Sequence, residues 1–419
     1  MKYKKIKKDN YEIYYYKTDK FKTINIETVL INDYDPKDIT MDNYISEFLL
    51  KTNANYKDEI SMNKKYMDLF NPKLSIHDVF RDYHIKYFSM TFLSEKYLGQ
   101  ENNKKLIDFY YDIIFNPNVV NNSFEKNNSK LVIDQMKSDY LLYEENPREK
   151  AYKGALKSLT GNFPFKYNPR GNKKDLKNID FKEAYKHYKD ELNNSKYIVF
   201  ITGNIDDNIF DYVDNNLRNK VKQTNINIKI YYDPGKIKYK EKIDKSKFNQ
   251  SILYIAYKIP NITIEERKVV LPLLNNILGG ASSKLFNNVR EKNSLAYYVY
   301  SSMMKHYGIL YINAGISYKN YDRAIKVIEK QIDDLKKGNI SNKEINDSIK
   351  AFEANILKSE DNLSSITSTL EGQILFEQYS NEEFLEKVKK VTKKELIDLS
   401  NKLELDFIYL LKEDTHENN

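Results

Sequence analysis

The sequence predicts an α+β protein made of two related halves, each an antiparallel-rich mixed sheet covered by helices on one side, joined by a linker. Two observations support this fold class. Strand-like runs of β-branched and aromatic residues are followed by helical periodicity, and the scheme occurs twice along the 419 residues. The length also indicates two or three domains. The predicted divisions are 1–218 for the first half, 219–250 for the linker and 251–419 for the second half.

The first half begins with aromatic and β-branched runs that are typical of strands. In order, we predict strands at 11–16 and 24–31, a helix at 40–51, a strand at 87–92, helices at 102–115, 122–141, 147–159 and 181–193, and a buried strand at 198–203. Asp180 and Glu183 have the spacing of a capping box at the start of the last helix.

The predicted linker is polar and lysine-rich and contains Pro234-Gly235, which is typical of a connecting segment. For the second half we predict strands at 251–259, 297–303, 308–316 and 407–411, helices at 264–278 and 283–292, one long helix at 342–378 and a last helix that ends near 402. Capping boxes at Ser341/Glu344 and Thr392/Glu395 open the last two helices.

Composition excludes several classes of protein. No run approaches the roughly 18 apolar residues of a membrane span. The lysine-rich first ten residues are not followed by an apolar run, so we expect a cytoplasmic protein without a membrane partner. The absence of cysteine removes disulfides, thiolate metal sites and cysteine nucleophiles. The net charge of +8 is spread over interleaved lysines and acids, which favours a solvated surface over nucleic-acid binding.

The segment 278–300 carries the most informative pattern. Gly279 and Gly280 end one helix and let the backbone turn, and the next helix ends near Arg290. Tyr297 then begins a strand. An arginine and a tyrosine at such a corner can present a fixed cation and a phenolic donor to a peptide carbonyl, as a tetrahedral oxyanion requires. An arbitrary pair at this spacing would instead be a surface ion pair and a tyrosine packed on a sheet.

This segment resembles the C-terminal signature of the insulinase/pitrilysin metallopeptidase family, roughly GG-x-x-S-x-L-F-x-x-(L/V)-R-E-K-x-x-L-A-Y. Twelve of the nineteen positions match, namely Gly279, Gly280, Ser283, Leu285, Phe286, Val289, Arg290, Glu291, Lys292, Leu295, Ala296 and Tyr297. The resemblance implies that Arg290 and Tyr297 bind substrate and stabilise the transition state, and that Gly279 and Gly280 lie at the substrate-binding segment.

The resemblance extends over most of the chain. Phe115-Asn116-Pro117 before a long helix and residues 176–206 are similar to the helical middle and the end of the family's first half. Lys20-Phe21-Lys22-Thr23 is similar to one bacterial branch, which is associated with the 5-aminopentanol modification of elongation factor P.

Catalytic members of the family are inverzincins, with H-x-x-E-H on a helix that supplies two zinc ligands and a general base. The resemblance places Tyr44 and Phe48 at the histidine positions, Glu47 at the general base and Lys126 at the third ligand, with Glu125 one place away. Phenylalanine cannot coordinate a metal, and neutral tyrosine is a poor zinc ligand. The resemblance therefore implies a degenerate zinc site, with no metal and no other cofactor on this chain.

The five histidines offer no replacement for the lost ligands. None forms H-x-x-E-H or H-x-x-x-H. His77-Asp78 with Asp82 and His84 is the one local group of ligand types, and scattered surface residues are the favoured interpretation. His187 is predicted to be a partly buried helix residue.

The resemblance implies an accessory subunit. In several bacterial and mitochondrial members, the H-x-x-E-H site and the Arg/Tyr motif lie on different chains that associate. We therefore expect a heterodimer with an H-x-x-E-H-bearing sister that holds the zinc, a peptide or protein substrate, and a role in elongation factor P modification. The alternatives are a catalytically dead peptidase fold used for structure or peptide binding, a nucleic-acid-binding protein, and a peptidase with an unseen metal site.

Overall fold

A computed structural model describes residues 3–161, 163, 166–222, 224–226 and 228–414. The strands are β1 Lys4–Lys7, β2 Tyr11–Lys17, β3 Thr23–Asn32, β4 Lys73–Phe80, β5 His84–Leu93, β6 Val119–Val120, β7 Ser123–Phe124, β8 Lys196–Gly203, β9 Lys240–Lys245, β10 Ser251–Lys258, β11 Ala296–Met304, β12 Ile309–Ile316 and β13 Glu404–Lys412. The helices are α1 Ile39–Lys51, α2 Glu59–Asp68, α3 Asn103–Phe115, α4 Lys126–Glu145, α5 Pro147–Ser158, α6 Phe181–Asn194, α7 Asn208–Leu217, α8 Leu271–Gly279, α9 Tyr321–Lys336, α10 Asn342–Ser359, α11 Leu363–Phe376, α12 Asn381–Val388 and α13 Lys393–Asn401.

The predicted fold class is confirmed, since each of two compact units holds an antiparallel-rich mixed sheet with helices against it. The first unit comprises the chain up to Leu141, Tyr167–Ile228 and Glu360–Leu375, and the second comprises Leu142–Lys166, Lys229–Ser359 and the chain from Phe376 onward. Residues 142–166 therefore belong to the second unit, although residues of the first unit flank them in sequence. Residues 360–375 belong to the first unit, although residues of the second unit flank them. The predicted linker contains β9, which pairs in parallel with β13.

The first unit is built on a six-stranded sheet in the order β1-β2-β8-β3-β5-β4, in which only the β2–β8 pairing is parallel. Its central strand β3 buries Ile24, Ile26 and Leu30 against the main core, which includes residues of α1 and α3. From α3, the Tyr110 hydroxyl accepts a hydrogen bond from Thr28 N at 2.9 Å and donates to the Phe88 carbonyl at 2.7 Å. This tyrosine therefore ties the helix layer to two neighbouring strands.

The second unit is built on a five-stranded sheet in the order β11-β12-β10-β13-β9, so β11 lies at one edge. The main core lies on the face toward α8, α9 and α13, around Leu253, Ile255 and Leu410. On the other face, α5 packs through Ala151 and Ala155. A Cβ at Gly154 would overlap the Tyr409 ring, so glycine is required for this close approach.

The predicted helix over 342–378 is wrong as a single element, because α10 ends at Ser359 and α11 begins at Leu363. The Asn362 side chain accepts from Ser365 N at 3.1 Å and thereby caps the new helix. Propensity and periodicity alone missed α2, β4, α9 and α12. None of the described helices combines the length and apolar character that crossing a bilayer requires.

Candidate functional site

Arg290 and Tyr297 line the same open cavity at the start of edge strand β11. The cavity has a volume of ≈ 590 Å³ and is lined by Arg290, Glu291, Ser294, Leu295, Ala296, Tyr297, Ser317, Lys319 and Asn320. Tyr297 is 67% exposed, so its hydroxyl is open to a ligand. The structure therefore brings together the two residues that the sequence motif predicted to act on a substrate carbonyl.

A β-bulge accounts for the position of Tyr297. Ala296 pairs with Ile316 and Tyr298 with the preceding Gly315, so the register shifts across Tyr297. A bulge leaves one residue outside the regular ladder and re-aims its side chain, which is why bulges are common beside active sites. The free edge of β11 begins at this point.

Arg290 lies in a π-helical segment, Phe286–Glu291, rather than in the regular helix predicted at 283–292. The Asn288 amide donates to Gln331 Oε1 of α9 at 2.8 Å and anchors the segment. The Arg290 guanidinium lies 5.2 Å from the Phe286 ring centre, and its Nε is 3.7 Å from Glu291 Oε1. These contacts hold the arginine loosely, and its side chain remains 46% exposed.

Gly279 and Gly280 have a packing reason to be glycine. A Cβ at Gly279 would overlap the backbone nitrogen of Ser301 in β11, and one at Gly280 would come within 2.7 Å of the Asn276 carbonyl. The end of α8 can therefore lie directly against the edge strand. Their predicted contact with substrate stays a prediction.

The predicted zinc-site positions on α1 belong to the core. Tyr44 and Phe48 are both fully buried. The Tyr44 hydroxyl donates to Ser129 Oγ at 2.7 Å, and burial raises its pKa, so the phenol stays neutral. The Phe48 ring packs 4.5 Å from that of Phe124. A buried neutral phenol and a benzyl group do not fit a zinc ion.

Glu47 has a different environment. It lines a cavity of ≈ 60 Å³ with Asn43, Met136, Asp139, Tyr140 and Arg170. Although Glu47 reaches the surface, desolvation by the cavity wall and the nearby Asp139 carboxylate raise its pKa. Lys126 is the exposed first residue of α4, and the residue of that helix that meets Tyr44 is Ser129.

A buried ionic network under α1 was missed by the sequence analysis. Its members are Asp42 of α1, Asp78 of β4, His84 and Lys86 of β5, and His187 and Glu191 of α6. His84 Nε2 lies 2.6 Å from Asp78 Oδ1, and Lys86 Nζ lies 3.3 Å from both Asp78 and Glu191. The interpretation of Asp78 and His84 as surface residues is therefore wrong, because cross-strand pairing of β4 with β5 buries them together. His187, with a side chain 31% exposed, is partly buried as predicted.

The network shows what the sequence could have indicated. His84 and Lys86 lie on the same face of β5 as the buried Phe88 and Met90, and polar residues on a buried face need partners. The partners come from distant elements, so local spacing could not identify them. Within the part of the chain that the structure describes, no group of three or more His, Asp or Glu side chains is arranged to hold a metal ion.

The chain is similar in sequence to a peptidase family model and to a bacterial protein. Residues 178–352, which include Arg290 and Tyr297 but not α1, match the family model Peptidase M16 inactive domain. The chain is 24% identical over 409 residues to the Bacillus subtilis protein named Probable inactive metalloprotease YmfF, covering 94% of each. The family model and this relative are both described as inactive, the first as a peptidase domain and the second as a metalloprotease.

Solved structures share the fold over the full length. A conserved protein from Enterococcus faecalis superposes with a TM-score of 0.88 at 22% identity, covering 97% of each chain. A peptidase M16 inactive domain from Pseudomonas fluorescens gives a TM-score of 0.81 at 16% identity, covering 99% of this chain and 98% of the other. The chain thus has the same fold as this peptidase M16 inactive domain.

Proposed function

We propose that this chain is the non-catalytic subunit of a paired M16-type peptidase, in which Arg290 and Tyr297 act on a substrate held beside β11. The observation that carries the proposal is the contrast between two sites. Arg290 and Tyr297 open onto one cavity, whereas the residues at the zinc positions are packed as core. The helix that binds the metal would then come from a sister subunit that carries H-x-x-E-H. The zinc is expected on that subunit.

Edge strand β11 offers a means of holding the substrate. Among the described strands it pairs only with β12, so its outer backbone groups are free to pair with an extended peptide. A peptide added there would pass Tyr297, whose phenol can donate to a carbonyl oxygen. The Arg290 guanidinium would supply the second donor, since arginine presents several N–H groups and stays charged.

For the substrate, we propose a peptide or protein that takes part in elongation factor P modification. The support for this step is the similarity of Lys20-Phe21-Lys22-Thr23, between β2 and β3, to the branch associated with that modification. A structural or peptide-binding module without a catalytic role is the competing function.

Co-expression with an H-x-x-E-H-bearing sister from the same genome tests the pairing. We expect a stable complex that cleaves an unstructured reporter peptide, while neither chain does so alone. Arg290→Ala or Tyr297→Phe should lower kcat by about 10²–10³, the cost of losing one oxyanion donor. Arg218→Ala and Tyr167→Phe, which alter exposed residues of the first unit, serve as matched controls.

The outcomes separate the two functions. A structural module would give the same complex with unchanged cleavage in the Arg290 and Tyr297 variants. Absence of any complex, or cleavage by this chain alone, would contradict the proposal directly.

A further inference from the structure

The cavity beside Arg290 and Tyr297 carries an unbalanced positive charge. Its charged lining residues are Arg290, Lys319 and Glu291. Glu291 lies within 3.7 Å of Arg290 and offsets that cation. Lys319 is exposed, lines the cavity and forms no ion pair with any residue that the structure describes.

The next charged groups, Glu413 and Lys412, are opposite in sign and leave this imbalance in place. The nearby Glu413 carboxylate is already satisfied, because it accepts from Tyr318 N at 2.9 Å and from Ser251 N at 3.1 Å. Lys412 Nζ lies 3.6 Å from the ring centre of Tyr318, the residue that precedes Lys319 in the sequence. Ser317 and Asn320 add neutral polar groups to the wall.

The size and position of the cavity fit a side chain of the bound peptide. Its ≈ 590 Å³ lies within the range of about 300–1,000 Å³ that is common for ligand sites. It opens where β11 begins, so a peptide paired with β11 passes its mouth. Alternate side chains of a strand point to the same face. A side chain of the bound peptide next to the reacting carbonyl would therefore enter the cavity.

We infer that Lys319 selects substrates with an acidic side chain, aspartate or glutamate, next to the carbonyl held by Arg290 and Tyr297. This inference rests on the proposed function of the β11 edge. If Lys319 were only a solvated surface lysine, reversing its charge would leave the peptide preference unchanged. If Lys319 selects the substrate, reversing its charge changes that preference.

The test uses the full chain and three fluorescein-labelled decapeptides of Ala, Ser and Thr that differ only in a central Glu, Gln or Lys. Fluorescence anisotropy measures the three dissociation constants. We expect the Glu peptide to bind most tightly, and Lys319→Ala to reduce its advantage over the Gln peptide by about threefold, the size of a partly exposed ion pair. Lys319→Glu should reverse the order so that the Lys peptide binds best, and added salt should weaken both preferences.

Lys330→Glu is the matched control, since it makes the same charge change on an exposed lysine of α9. Equal binding of the three peptides, no saturable binding, or the same effect from Lys330→Glu and Lys319→Glu would overturn the inference. The proposed function is judged separately, by cleavage in the co-expressed pair and its loss in the Arg290 and Tyr297 variants.

Discussion

The Tyr44 hydroxyl donates to Ser129 Oγ at 2.7 Å, and Ser129 in turn donates to the Glu125 carbonyl at 2.7 Å. This chain of hydrogen bonds joins α1 to the first turn of α4, the two helices on which the sequence resemblance places the zinc-ligand positions. Tyr44 and Ser129 are both buried, so the bond replaces solvent contacts that neither group can make. Tyr44, which the sequence resemblance places at a zinc-ligand position, therefore serves packing in this chain.

We therefore predict that the zinc-position residues contribute to stability. Phe48→Ala removes a buried ring and should lower the free energy of unfolding by about 3–5 kcal/mol. Tyr44→Phe removes one buried hydrogen bond and should cost about 1 kcal/mol. Urea unfolding followed by circular dichroism measures both, with the exposed Tyr167→Phe as the control. Unchanged stability of Phe48→Ala would mean that α1 is not packed as described.

The Arg/Tyr pair and the predicted zinc-site positions show how much of the candidate site can be predicted from the sequence. The Arg/Tyr corner could be predicted, because both residues lie in one short segment whose helix-to-strand turn is local. The partner of Tyr44 could not, since Ser129 is 85 residues away in sequence and lies three positions from the aligned Lys126. The π-helical turn at Arg290 and the break after Ser359 were also missed, because neither segment contains the proline or glycine that usually marks a helix irregularity.

The ionic network gives a pH-dependent stability. Burial disfavours protonation of His84, yet the carboxylates of Asp42, Asp78 and Glu191 outweigh it and raise its pKa. The folded state therefore holds the proton more tightly than the unfolded chain, whose histidine pKa is about 6.5. The resulting stability is fully present below that value and is lost as pH rises through the folded pKa.

The other groups facing His84 enter the same balance. Lys86 lies between Asp78 and Glu191, and His187 Nε2 lies 2.7 Å from Asp42. Burial opposes ionisation of Asp78, but Lys86 and His84 lower its pKa to about 2. That contribution is present above about pH 3.9 and is lost only as pH falls toward 2. As pH rises above 6, His84 and His187 contribute to the loss of stability together with the buried carboxyl groups whose pKa is raised, Glu191 and Glu27.

We expect His84→Gln to destabilise the protein by about 3–5 kcal/mol at pH 6, as for breaking a buried pair, and to flatten the loss of stability between pH 6 and 9. His77→Gln is the control, because burial lowers the pKa of His77 and its contribution is lost as pH falls. Urea unfolding at four pH values measures each profile. An unchanged slope in His84→Gln would contradict the assignment of the proton to this network.

A second buried pair, Lys258 and Asp406, stabilises the sheet of the second unit. Both side chains are fully buried, with Lys258 Nζ 3.4 Å from Asp406 Oδ1. Lys258 also donates at 2.9 Å to the carbonyl oxygens of Thr160 and Lys236. Asp406 accepts from Thr160 N at 2.9 Å, so the pair connects β10, β13 and the end of α5.

Removing one charge of this pair should cost more than removing both. Asp406→Asn leaves a buried ammonium without its counterion and should lower the free energy of unfolding by about 3–5 kcal/mol. In the double variant Lys258→Met/Asp406→Asn the loss should be smaller than in Asp406→Asn alone. Asp347→Asn, which disrupts the exposed pair with Lys343, should leave the free energy of unfolding nearly unchanged. Additive losses in the double variant would argue against a direct interaction.

The helix α11 meets the first sheet through polar side chains spaced one helical turn apart. Thr367 Oγ1 lies 2.6 Å from Thr202 Oγ1 and 3.3 Å from Asn25 Nδ2. One turn later, Glu371 meets Glu27, two residues after Asn25 on β3. Burial, together with the neighbouring Glu371 carboxylate, raises the pKa of Glu27 well above its usual range, and burial raises that of Glu371 as well.

Two buried carboxyl groups in contact are stable only while they share a proton. Because the folded pKa of Glu27 lies above its unfolded value, this pair stabilises the fold at low pH and loses that contribution as pH rises. We expect Glu27→Gln, which keeps the shape and cannot ionise, to be more stable than the parent chain at pH 8 and nearly equal to it at pH 5. Thermal unfolding at both pH values measures the difference, and the exposed Glu144→Gln should leave it unchanged. A destabilised Glu27→Gln at pH 8 would mean that Glu27 is ionised and paired with a cation, and the shared proton would have to be abandoned.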